Sequence, residues 1–161
     1  MKEIDLGVMQ KNAEKIIATA RKLMKRPDKR GGYVCIATRT GKALAIFLVG
    51  TVANETKAAI YRGYCHEKAQ RLGNNLKQIS SWESRDEATH RYGGAIRVGE
   101  LIFSFSAFPE HWDEACMVAL ANMSGHHLSM YVMQKIREIS GNPHSALLLR
   151  TLIPHRKIPM D

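Results

Sequence analysis

Between Leu101 and Ala107 the side chains alternate: Phe103, Phe105 and Ala107 fall on one face, Ile102, Ser104 and Ser106 on the other. A period of two predicts a strand with one bulky apolar face and one small, partly polar face. Gly99-Glu100 before it is a two-residue turn with Gly where φ must be positive, so Ala95–Val98 is predicted as the partner strand. Pro109 then opens a helix at a position that needs no N–H, followed by Trp112, Ala115, Cys116, Ala119 and Met123 at helical spacing. Its first turns carry Glu110, Asp113 and Glu114, the sign that the helix dipole favours there.

The same patterning divides the rest of the chain. Met9, Ala13, Ile16, Ile17, Ala20 and Leu23 predict an amphipathic helix over 8–26, stopped by Pro27. Tyr33–Thr38 and Ala43–Val49 are nearly continuous apolar runs joined by Arg39-Thr40-Gly41-Lys42, a hairpin whose strands are expected to be covered on both faces. Asn54 is the expected N-cap of a helix reaching Leu72, with Ala58, Arg62, Cys65, Ala69 and Leu72 on its inner stripe. Gly63 inside it predicts a close helix contact, because Gly costs about 1 kcal/mol against Ala there. The stretch 77–91 is polar and irregular, anchored by Ile79 and Trp82, with a turn or two of helix over 84–89.

After Asn122 and Gly125-His126-His127, a further helix is predicted through Leu128, Val132, Ile136 and Ile139, ended by Gly141 and Pro143. Leu147, Leu148, Leu149, Leu152 and Ile153 follow, set among Arg150, Arg156 and Lys157. They are expected to form an arm buried on a partner subunit, with folding back over the chain's own sheet edge as the rival. These elements predict an α+β fold: an antiparallel sheet of about four or five strands built from hairpins and flanked by helices.

Size and charge narrow the function classes. A chain of 161 residues with 45% hydrophobic content suits one sizeable core, and its longest apolar stretch is too short to span a bilayer, so a cytoplasmic protein with no membrane partner is expected. Cys35, Cys65 and Cys116 never form C-x-x-C and are expected as buried thiols. The formal charge of +9 suggests an anionic partner, nucleic acid, phosphate or the propionates of a haem, and charge alone does not choose among these. Nucleic acid ranks second, because the basic residues are scattered and most aromatics fall in predicted core.

Motif chemistry is sparse. His66-Glu67 lacks the second His of a zincin because residue 70 is Gln, and the pair Glu87 and His90 is half of what a di-iron bundle requires. Neither a nucleophile elbow nor a P-loop spacing appears, and Ser104 and Ser106 are expected as sheet and N-cap residues.

Gly93-Gly94, the Ile96-Arg97-Val98 strand, the Gly99 turn, Ser106 at the end of the return strand, and Pro109-Glu110 with Asp113-Glu114 occur in a fixed order. In that order the chain resembles the GlcG/HbpS-like domains, called haem-binding or haem-degrading, which include the carboxy-terminal domain of some PduO proteins. The resemblance covers most of 1–125; 126–161 is then a C-terminal helix and extension packing on the same domain or a neighbouring subunit. It implies a profilin-like or PAS-like sheet, a homo-oligomer, and a small-ligand site at Gly93, Gly94, Arg97, Ser106, Glu110 and His111. Haem is the cofactor it admits, with His90 and His111 as candidate metal ligands. An enzyme acting on a small anionic metabolite and a basic nucleic-acid-binding module are the alternatives. The family carries glycines where this chain has Phe103, Phe105 and Ala107, and its Lys-Ala pair falls on Lys57-Ala58 or Lys68-Ala69, with spacing favouring the first.

Overall fold

A computed structural model describes residues 3–155. The elements run α1 (Leu6–Met24), β1 (Gly31–Thr38), β2 (Ala43–Gly50), α2 (Glu55–Gly73), two short 3₁₀ turns (Ser81–Ser84 and Glu87–Thr89), β3 (Ala95–Val98), β4 (Leu101–Ser106), α3 (Glu110–Met123), α4 (Met130–Ser140) and α5 (Ser145–Leu152). The fold is α+β, with a four-stranded antiparallel sheet in the order β2-β1-β4-β3.

The alternation in β4 decides what covers each face. Phe103 and Phe105 join Val34, Ile36 and Ile96 under α1 and α3 in the main core, which also takes in Leu148, Leu149 and Leu152 of α5. On the opposite face Cys35, Ala37, Ala95 and Ile102 meet Cys65, Ala69 and Leu72 of α2. Small side chains let that helix come close: the buried Ser104 hydroxyl donates to the Cys65 carbonyl at 2.7 Å. Side chains capable of capping start most of the helices, with Asp5 accepting from Val8 N, Asn54 from Lys57 N and Ser129 from Val132 N. Lys25 and Gly141 close α1 and α4 in the left-handed region, at φ 55° and 64°.

Three expectations are corrected. β1 is buried along most of its length but β2 is not: among the described residues it is an edge strand, paired on one side only, and Leu44 and Leu48 are exposed. Gly63 makes no close contact; a Cβ there would meet nothing within 4 Å. The crowded glycine is Gly73, where a Cβ would run into the backbone of Gly41 in the β1–β2 turn. The Leu147–Ile153 segment forms α5 and packs on α1 and α3 of its own chain, because its leucines repeat on one helical face; it rests neither on the sheet edge nor, for Leu148, Leu149 and Leu152, in the open. Arg156 and Lys157 lie outside the described residues.

Candidate functional site

The chemistry gathers where α2 passes the junction between β4 and α3. On α2, Tyr61, Tyr64 and Lys68 are spaced by three and then four positions, so all three project from one stripe beside the one that meets the sheet. Lys68 is nevertheless buried, and its Nζ donates to the Phe105 carbonyl at 2.8 Å and to Asp113 Oδ2 at 3.0 Å. The other carboxylate oxygen of Asp113 accepts from the backbone N–H of Phe108 at 2.8 Å and of Ala107 at 3.3 Å. The pair therefore ties α2, the end of β4 and the first turn of α3 into one unit, with nearly every lone pair engaged. A buried pair needs that engagement to offset its desolvation. Burial pushes the Asp113 carboxyl up to about 6, against the pull of Lys68 and the two N–H groups.

Above this pair opens a cleft of about 420 Å³. Its walls are Tyr61 and Tyr64 from α2, Tyr92 from the loop before β3, and Ser106–Glu110 from the β4–α3 junction. Arg26 and Lys29, from the segment between α1 and β1, stand at its margin. The Lys29 ammonium lies 3.5 Å from the Tyr61 hydroxyl and 5.9 Å from its ring centroid. Arg26 forms a bidentate pair with Asp28, both exposed, at 2.9 Å.

The residues marked in the sequence divide into three groups. Ser106 and Glu110 line the cleft. Ser106 is not an N-cap: Pro109 holds that position without a side-chain bond, and Asp113 binds the loop from inside the helix. Gly94 and Gly93 form the cleft's support. Gly94, at φ 123°, has no room for a side chain, since a Cβ would sit 2.8 Å from both Lys68 Nζ and Asp113 Cβ. Gly93 lies against the Trp82 ring and donates to Glu110 Oε1 at 2.9 Å. Burial works to raise the Glu110 carboxyl, but the fork of Arg85 and the Gly93 N–H outweigh it and hold the group below the usual range.

The third group faces elsewhere. Arg97 spends its donors on the carbonyls of Arg39, Leu72, Gln78 and Asn75, stitching β3 to the end of α2 and the β1–β2 turn. His111 stacks on Trp82 at 4.4 Å, and its Nε2 bonds the Ser140 carbonyl at 2.7 Å. His90 is exposed in the left-handed region, its Nδ1 3.1 Å from the hydroxyl of cleft-lining Tyr92. Among the described residues no group of three or more His, Cys, Asp or Glu side chains is arranged to hold a metal ion. Sequence reasoning missed Tyr61, Tyr64 and Tyr92, and it favoured Lys57 over Lys68; Lys57 is exposed in the first turn of α2, far along the helix from the buried pair. The overlooked signal was the helical spacing of two tyrosines and a lysine beside the inner stripe.

No family model matches the chain, and no curated protein matches it. Among solved structures the chain is similar to the crystal structure of Klebsiella pneumoniae protein ORFY, family model DUF336, at 14% identity and a TM-score of 0.43, over 76% of this chain and 93% of that one.

Proposed function

We propose that this chain is a ligand-binding domain whose cleft takes a small organic anion with a flat ring. The observation that carries this is the cleft itself: three tyrosines for walls, Lys29 and Arg26 at the margin, and a floor held rigid by the Lys68–Asp113 pair. Phenol rings offer apolar faces to a flat ligand and hydroxyls to its polar groups, while Lys29 attracts its carboxylate and Arg26 can do so only by sharing its guanidinium with Asp28. A rigid floor limits the ordering cost on binding.

Haem is the specific ligand that the family resemblance admits. The propionates of a haem would find Arg26 and Lys29. The residues lining the cleft include no histidine, however: His111 is turned to Ser140, and His90 stands behind Tyr92. The cleft does not fit a histidine-ligated haem, and no step is assigned to iron.

The test is titration of the purified chain with 2-naphthoate, followed by ligand-observed NMR, beside a Soret titration with haem. Saturable naphthoate binding, weakened about tenfold or more in Tyr64→Ala and in Lys29→Ala, is expected. Failure of both probes to bind would overturn the reading, as would binding that both substitutions leave untouched.

A further inference from the structure

The two edges of the sheet are finished differently. Beyond β3 the chain closes its own edge: Ser80 bridges Ile96, and the Arg97 N–H donates to the Ile79 carbonyl at 2.8 Å. Beyond β2 no further strand pairs among the described residues. Its sequence, ALAIFLVG, contains neither charge nor proline; of the devices by which a free edge is normally protected it has a bulge at Leu44 and one side chain laid over it.

The register shows which backbone groups are open. Thr51 N donates to Arg30 O, and Gly31 stands opposite Gly50, so Val49, Phe47 and Ala45 turn their N–H and C=O towards β1. Ile46 and Leu48, between them, turn theirs outward. A side chain partly covers this line, the Gln10 amide reaching Leu48 O at 3.2 Å. Leu44, at the bulge, and Leu48 are 47% and 42% exposed and stand two positions either side of Ile46. On α1, Leu6 and Val8 are exposed in the stretch just before Gln10.

We propose that β2 pairs antiparallel with β2 of a second copy of this chain about a two-fold axis at Ile46, joining two sheets into one of eight strands. Three features select a second copy. An antiparallel pairing of identical strands is two-fold symmetric and closes after two chains. Centred on Ile46, it sets Leu44 opposite Leu48 of the second copy, twice over, so the two exposed leucines bury each other. The strip that meets, Ala43–Gly50, carries no charge, so two chains of charge +9 join without setting cations within the paired strands. The area suffices: a strand of this length spans roughly 27 Å, and with a side-chain layer of about 10 Å on each face it covers on the order of 500 Å² per chain, the threshold for a specific interface. The Gln10 amide yields Leu48 O to the incoming strand and keeps its bond to Glu14.

Sedimentation velocity of the full chain at micromolar concentration tests this, with Leu44→Lys/Leu48→Lys as the disrupting variant and Met130→Lys, exposed on α4, as the charge control. The native chain is expected to be a dimer, or an assembly of dimers. The double lysine variant is expected to keep its circular dichroism and raise the dissociation constant about 100-fold or more, with the control unchanged. Leu44→Cys/Leu48→Cys is expected to give a disulfide-linked dimer on oxidation, which preserves the test if the lysine variant misfolds. A monomeric native chain overturns the proposal, and so does an assembly that the double lysine variant leaves intact.

Discussion

Glu114 is fully buried on α3, where Ser80 and Ser140 each donate to it at 2.6 Å and Asn142 at 3.2 Å. These bonds join the loop before β3 and the end of α4 to the central helix, so one carboxylate clamps three segments. Burial raises its folded-state pKa above the ordinary 4.5, and the three donors only partly oppose that rise. Between the two values the folded chain holds a proton that the unfolded chain has lost. The stabilisation from this group is therefore complete below the unfolded value and is lost as pH rises through the folded one. Glu114→Gln removes that dependence. Urea unfolding is expected to show the substitution more costly at about pH 4 than at about pH 7.5, with Asp113 cancelling because it titrates in both variants. An equal cost at both pH values would mean that folding leaves the Glu114 pKa where it stands in the unfolded chain.

At the scale of elements, α2 carries both the cleft wall and the cover for the small-residue face of the sheet, yet it is interrupted by a glycine that neither task requires. Gly63 is exposed, and a Cβ there meets nothing within 4 Å. Gly63→Ala is expected to raise stability by about 1 kcal/mol, read as a higher denaturant midpoint at unchanged slope, through reduced freedom of the unfolded chain. Gly73→Ala is expected to do the reverse, since its Cβ would press on the Gly41 backbone rather than on a side chain that can swing away. The contrast separates a glycine that only weakens its helix from one that lets α2 close on the hairpin.

At the scale of the molecule, the core is completed by the last helix. Leu148 and Leu149 are almost wholly buried against α1 and α3, and Leu152 nearly so. Loss of a buried leucine costs about 2–5 kcal/mol, so removal of all three is comparable to the roughly 5–15 kcal/mol that holds a domain of this size together. The full chain is expected to melt in a cooperative thermal transition, and truncation after Asn142 is expected to abolish it. A truncated chain that melts cooperatively near the native temperature would show that α5 is an accessory to a core complete without it.

Periodicity along the chain was enough for the two hairpins, the starts and stops of α1 and α2, and the faces of β4, because each is dictated by neighbours a few positions away. Asn54 and Gly141 act as caps where their positions predicted it. The sequence also marked Gly93, Gly94, Ser106 and Glu110, and tertiary folding assembles these around the start of α3. What the continuous apolar run of β2 could not carry is its place at the sheet's edge, which depends on strand order and not on its own residues. Equally, Lys68 and Asp113 meet only because α2 crosses the β4–α3 junction; the residues are 45 positions apart, and helical spacing sets Lys68 beside the inner stripe without showing what it meets. Arg97 was marked as a ligand contact, yet its guanidinium is used up by four carbonyls from three other segments. Local spacing determined which elements form and which faces are apolar; long-range closure decided which charges are buried, which edge stays open and where the cleft lies, because those depend on partners that the chain brings together only once it is folded.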